Sequence, residues 1–262
     1  MRQVCLSDET GLSDLDPEAL VQDVKAHYER HLAPVYAWSA GGAEDAIADG
    51  GRWLASLPLP AGPAHVVDLG AGFGATAIPL ARAGHRVTAV DTSAALLAEL
   101  LSHAGGANVA VHEAELVQWL QGSRSSADVV LCVGDTLPHL ASHEQVDALL
   151  AGVAQVLAPD GLAVLAYRPR RDLAPDERFV LVRADEQRTL TAFLEVVDDA
   201  HQIVWDILHE RVDGRTTQRV SGYRKLRLDP SWIVERASAH GLVVEAHAPY
   251  RGMVVQLLRR AS

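Results

Sequence analysis

The sequence predicts an α/β fold, a doubly wound and mostly parallel seven-stranded sheet with an N-terminal helical cap and an antiparallel β insertion. Three observations carry this expectation. From Val66 to Asp91 an apolar run, three alternate glycines, an apolar helical pattern and a second apolar run ending on an acid follow in order. Apolar runs at Asp128–Val133 and Leu162–Tyr167 recur downstream with a helical pattern between them, the alternation that builds a parallel sheet. From residue 179 to 228 the pattern changes to β-rich runs separated by turn signals. The expected organisation is a cap over 1–60, a core over 61–178 and 229–262, and the insertion over 179–228.

Asp16-Pro17-Glu18 reads as a helix N-cap, a proline at the first helical position and an acid in the first turn. The helix is expected to run to about residue 31, with Leu20, Val24, His27, Tyr28 and His31 near one face. After Pro34 come Tyr36 and Trp38. Aromatic residues are only 5% of the chain, so three within eleven positions are a local concentration. They dock the N-terminal helices onto the core, or they form a lid whose rings face a positive centre. Gly41-Gly42 separates a second helix, 43–56, and Leu57-Pro58-Leu59-Pro60 is a stiff linker.

Val66-Val67 reads as a buried strand, and Gly70, Gly72 and Gly74 as a tight turn whose backbone angles a Cβ would forbid. Ile78, Leu80 and Ala81 form a helix broken at Gly84, and Val87–Val90 is a second strand ending on Asp91, where a carboxylate can accept both hydroxyls of a ribose. Gly70, Gly72 and Ala75 also satisfy the dinucleotide pattern, which would make the chain an NAD(P)-dependent oxidoreductase. Against that, Asp68 stands two residues before the first glycine, where it repels a diphosphate and attracts a cationic group. The stretch Asp68-Leu69-Gly70-Ala71-Gly72-Phe73-Gly74, with Asp91, resembles motif I of class I S-adenosylmethionine-dependent methyltransferases. That resemblance implies S-adenosylmethionine as cofactor.

Thr92-Ser93 caps a helix to about residue 103, and Asn108–Val111 is a third short strand. The resemblance implies an acid beyond it against the adenine amino group, with Glu115 matching better than Glu113. Asp128–Val133 leads to Gly134-Asp135-Thr136-Leu137-Pro138-His139-Leu140. This resembles a segment of glycine and sarcosine N-methyltransferases and related small-molecule enzymes, with Asp135 standing where that branch usually has Asn. Residues 143–157 form a helix, Pro159-Asp160-Gly161 a turn, and Leu162–Tyr167 a strand. Arg168 follows at the place where the branch has an arginine for a substrate carboxylate. Three antiparallel strands are expected at 189–197, 202–212 and 217–228, then a helix from Pro230 to about 239. Two final strands, 242–246 and 253–258, close the sheet, one of them antiparallel.

A nucleophilic amine or hydroxyl loses a proton that Asp135 or His139 could accept, so these two are the catalytic candidates, His139 as base or orienter and Asp135 as cofactor or substrate contact. The candidate cofactor residues are Tyr28, Asp68, Gly70, Gly72, Gly74, Asp91, Thr92, Glu115 and Gly134, and the candidate substrate residues are Tyr36, Trp38, His139 and Arg168. The net charge of −11 disfavours a nucleic-acid or anionic-membrane partner, so a small-molecule substrate is expected, with the antiparallel strands as a candidate homo-oligomer surface. Two cysteines, Cys5 and Cys132, make no disulfide framework and point to the cytoplasm. The opening residues have no apolar signal-peptide core, no apolar run approaches a membrane span, and the 12 histidines show no metal-ligand spacing. The non-enzymatic alternative is a methyltransferase-like binding protein.

Overall fold

The computed structural model describes residues 20–261. Asp16-Pro17-Glu18 and Cys5 lie outside the described residues. Seven strands form the main sheet: β2 (His65–Leu69), β3 (Arg86–Asp91), β4 (Val109–Glu113), β5 (Ala127–Cys132), β6 (Leu157–Tyr167), β11 (Leu242–Tyr250) and β12 (Met253–Arg260). Their order is β11-β12-β6-β5-β2-β3-β4. β12 runs antiparallel to both its neighbours, while β2 to β6 pair in parallel. The predicted doubly wound sheet is therefore present, with the expected reversed strand near one edge.

Every residue of β2 is buried, as expected of a strand covered on both faces. Alternation divides its side chains between two cores. Val66 joins Ile47, Trp53, Ile78, Leu97 and Leu100, so α3 (Ala43–Leu54), α4 (Ala77–Arg82) and α5 (Ala94–Ala104) cover that face. Val67 joins Leu116, Leu120, Val146, Leu149 and Ile233, so α6 (Leu116–Gly122), α7 (His143–Val156) and α8 (Pro230–Ala239) cover the other. Ser93 and Ser142 cap α5 and α7 by accepting from the backbone N–H three residues on. α3 crosses the glycine turn closely, because a Cβ on Gly50 would stand 2.0 Å from the Ala75 carbonyl oxygen.

The departures from the sequence-based expectation are local. The long N-terminal helix is replaced, among the described residues, by a two-residue strand β1 (Val21–Gln22), α1 (Val24–His27), a π turn (Tyr28–Leu32), a 3-10 turn at Ala33–Val35 and α2 (Tyr36–Ser39). Asp23 caps α1, and β1 pairs in parallel with Gly222 and Tyr223 of the insertion. The insertion has four strands instead of three: β7 (Phe179–Ala184), β8 (Arg188–Val196), β9 (His201–Val212) and β10 (Arg215–Leu226). With β1 they make a five-stranded sheet ordered β1-β10-β9-β8-β7. Pro159-Asp160-Gly161 lies within β6, as an irregularity where its pairing with β5 jumps from Leu157 to Leu162. α6 was not expected.

Candidate active site

β2 has β3 on one side and β5 on the other, so the strand order reverses there and a crevice opens beyond the strand ends. The glycine turn sits in that crevice. Gly70, at φ +77°, donates its N–H to the Val90 carbonyl at 2.8 Å. A Cβ on Gly70 would fall 2.3 Å from Thr136 Cγ2, so this position admits only glycine both sterically and by backbone angle. Gly72 N–H donates to Asp91 Oδ2 at 2.8 Å, and Ser93 N–H donates to Asp91 Oδ1 at 2.9 Å. Asp91 is thus held at the end of β3 by two backbone donors. Burial raises its pKa and these hydrogen bonds oppose that rise.

A cavity of about 440 Å³ lies above the turn. Of the residues assigned from sequence, Tyr28, Tyr36, Gly70, Gly72, Asp91, Thr92, Glu115, Gly134 and His139 line it. Glu115 lines it and Glu113 does not; Glu113 accepts instead from Lys25 at 3.3 Å. The two tyrosine rings are 5.5 Å apart, and Tyr28 meets the His139 ring edge-to-face at 5.7 Å. Burial pushes the Tyr36 phenol up to about 12 and the Tyr28 phenol well above its ordinary value, so both are neutral hydroxyls at pH 7.

Five assigned residues are placed elsewhere. Asp68 is fully buried behind the turn and accepts from Thr76 Oγ1 at 2.6 Å, while its Oδ1 has no partner among the described residues. Burial raises its carboxyl to about 7. Gly74 is a packing glycine, whose Cβ would fall 2.7 Å from Leu100 and 2.8 Å from Ile78. Trp38 turns away to the second sheet, donating to Asp185 at 2.6 Å with Arg188 stacked 4.5 Å above its ring, so it docks the cap onto the insertion. Asp135 and Arg168 pair with each other. Asp135, at φ +76°, accepts from the Arg168 N–H at 2.8 Å, from its guanidinium at 2.9 Å and from Lys225 Nζ. Aspartate, like the asparagine of the resembled segment, tolerates that backbone angle.

These contacts change what Asp135 can do. Burial pushes its carboxyl up, but Lys225, His139 and Arg168 more than reverse this, to about 2. A carboxylate so fully paired is no base at neutral pH, which corrects its expected catalytic role. Its part is to position Lys225, which does line the cavity. Lys225 and Tyr223 were missed from the sequence. Tyr223 shares a hydrogen bond with His139 Nε2 at 3.2 Å and stacks on that ring at 5.3 Å. Alternation along Tyr223-Arg224-Lys225-Leu226 was the available signal, but it does not say which face meets the cavity. Burial, with Lys225 beside it, lowers His139 to about 3, so it is an uncharged imidazole at neutral pH.

A raised carboxyl makes the turn pH-sensitive. Asp68 contributes stability that is present below its unfolded value of 3.8 and is lost as pH rises through about 7. Asp68→Asn is therefore expected to raise the melting temperature relative to the parent more at pH 8.5 than at pH 5, as scanning calorimetry of the ligand-free protein would show.

A nucleoside-scale ligand site formed by a glycine turn and a strand-end acid at the switch point of a parallel sheet defines a nucleotide-binding α/β domain. Residues 66–161 match the family described as a methyltransferase domain. A glycine/sarcosine N-methyltransferase from Aphanothece halophytica is 32% identical over 121 residues, 45% of this chain and 45% of that protein. The chain spans about half the length of such curated relatives where it matches them. The CcbJ methyltransferase of Streptomyces caelestis superposes with a TM-score of 0.74 at 22% identity, covering 90% of this chain and 98% of that one. CalS10 of Micromonospora echinaspora, an amino pentose methyltransferase solved with S-adenosylmethionine bound, gives 0.66 at 17% identity, covering 87% and 96%. At those identities the likeness is one of fold. Among the described residues no cluster of His, Cys, Asp or Glu is placed to hold a metal, and no helix is long and apolar enough to cross a membrane.

Proposed function

We propose that the protein is a methyltransferase that moves the methyl group of S-adenosylmethionine to an amine or hydroxyl of a small molecule. The observation that carries this reading is a single cavity lined both by Gly70, Gly72, Asp91 and Glu115 and by Tyr28, Tyr36, His139 and Lys225. Its volume suits a small-molecule ligand. The cofactor, when bound, supplies a methyl already activated on a sulfonium. The residues fit it: Asp91 can accept ribose hydroxyls while holding the turn, Glu115 can accept the adenine amino group, and the aromatic rings of Tyr28 and Tyr36 favour a positive centre.

The remaining work is placement, which can contribute about 7–11 kcal/mol of barrier reduction. His139, uncharged and anchored by Tyr223, offers a lone pair to a donor on the acceptor molecule without adding charge beside a cationic methyl donor. The glycine/sarcosine N-methyltransferase and the amino pentose methyltransferase to which this chain is similar support a polar acceptor bearing an amine. Residues of the N-terminal segment, among them Tyr28 and Tyr36, and Arg224, Lys225 and Leu226 of β10 form part of the cavity wall.

Calorimetry with S-adenosylmethionine against NADH tests the cofactor, and S-adenosylhomocysteine formation over amino acids, aminosugars and phenols tests the reaction. Binding without product from any of them would favour a non-catalytic binding protein. His139→Ala is expected to lower turnover by about 10²–10⁴ while leaving S-adenosylmethionine affinity within a few-fold. Equal loss of both would contradict the assigned role.

A further inference from the structure

Where the N-terminal segment docks on the second sheet, the contact is mostly apolar. Leu190, Ala192, Val204 and Leu208 pack against Val24, Leu32 and Val35. Asp206 stands between Val204 and Leu208 on β9, and Ser221 is its registered partner on β10. His27 reaches this pair from α1 and is fully buried. Its Nε2–H donates to Asp206 Oδ2 at 3.0 Å, and its Nδ1 shares a hydrogen bond with Ser221 Oγ at 2.9 Å. Both ring nitrogens are thereby spent. Asp206 and Ser221 are buried too, and none of the three is among the residues that line the cavity. The trio can act on a bound molecule only through its neighbours.

Those neighbours form the aromatic wall. The next residue, Tyr28, lines the cavity and faces His139. The Tyr223 ring, whose hydroxyl meets His139, lies 4.5 Å from the His27 ring. The backbone at Tyr28 is weakly fixed by itself, because α1 has four residues, follows a two-residue strand and passes into a π turn at Tyr28. Apolar contact holds the segment to the sheet but has no direction. A buried polar trio has one, since a slide of one residue would leave Asp206 unpaired among apolar side chains.

We propose that His27, held by Asp206 and Ser221, is the positioning residue that sets the Tyr28 ring against the sulfonium of the methyl donor. The proposal rests on the methyl-donor reading of the cavity. Isothermal calorimetry with S-adenosylmethionine and with S-adenosylhomocysteine tests it without an acceptor, because the two differ by one methyl and its positive charge. In His27→Ala the ratio of the two affinities is expected to shift toward S-adenosylhomocysteine by roughly three- to tenfold, the worth of one aromatic face on a desolvated cation. Tyr28→Leu should shift it equally and the double variant no further, since both residues act on one contact. Asp206→Asn keeps an acceptor for Nε2–H and should stay near the parent ratio. His27→Ala strands a buried carboxylate and can unfold the cap. The triple variant His27→Leu, Asp206→Leu, Ser221→Ala removes the trio without leaving a polar group alone. It should melt close to the parent and still shift the ratio. Three results would overturn the proposal: an unchanged ratio in the folded triple variant, equal weakening of both ligands, or additive shifts in the double variant. A parent that binds neither ligand would instead overturn the methyl-donor reading, and this proposal with it.

Discussion

Asp135→Ala is expected to lower stability by about 3–5 kcal/mol, because it leaves a buried ammonium without its counter-charge. The side chains of Asp135 and Lys225 are 6% and 8% exposed, so water cannot take the carboxylate's place. The Arg168 guanidinium is 58% exposed and contributes little, since solvent screens it. The same substitution also removes the acceptor for the Arg168 N–H, which ties the end of β5 to the end of β6. Asp135→Asn keeps an acceptor and tolerates the positive φ, so it should cost less. Removing both charges, in Asp135→Asn with Lys225→Met, should cost less than Asp135→Ala, because no buried charge is left alone. Acid titration offers a second check. A carboxyl held at about 2 against 3.8 unfolded contributes stability that is present above pH 3.8 and lost as pH falls through about 2. Denaturant midpoints should therefore fall between pH 4 and pH 2 in the parent, and that limb should be shallower in Asp135→Asn.

Asp91→Ala is expected to weaken S-adenosylmethionine binding by a hundredfold or more, on the order of two charge-assisted hydrogen bonds of about 1.5–3 kcal/mol each. The carboxylate also holds the Gly72 and Ser93 N–H groups, so its loss frees the turn as well as the ligand. Asp91→Asn should bind with intermediate strength. Because burial raises the Asp91 pKa, affinity in the parent should fall at a higher pH on acidification than for an ordinary carboxylate. Isothermal calorimetry reads both effects. An affinity unchanged in Asp91→Ala would sink the assignment of this acid to the ribose.

Legibility from sequence followed the range of the interactions involved. The stretch from Val66 to Asp91 was readable because strand, turn, helix and acid are set by neighbours within a few residues, and α5, α7 and α8 carried caps or apolar spacing. β7 was not read as a strand because Phe179–Val182 has no alternation to mark it; it is apolar on both faces. The N-terminal segment kept helical spacing on paper, yet β1 is held by β10, two hundred residues away. Trp38 illustrates the same gap: its aromatic character was plain, but Asp185 and Arg188 decide which way it faces.

By itself the sequence determined the strand–glycine turn–helix–strand unit, the sheet class and many of the residues that line the cavity, because glycine angles, strand burial and a strand-end acid are local properties. It also placed His139 beside that unit, at the end of a neighbouring strand. Only the tertiary structure decided the acceptor side. Asp135 and Lys225 are ninety residues apart in the chain, and their contact turns a presumed catalytic acid into a clamp and puts a lysine into the cavity wall. Tyr223 reaches His139 across a comparable span. The physical reason is that a charge or hydroxyl acts through the groups within a few ångströms of it, and for β10 those groups belong to another sheet.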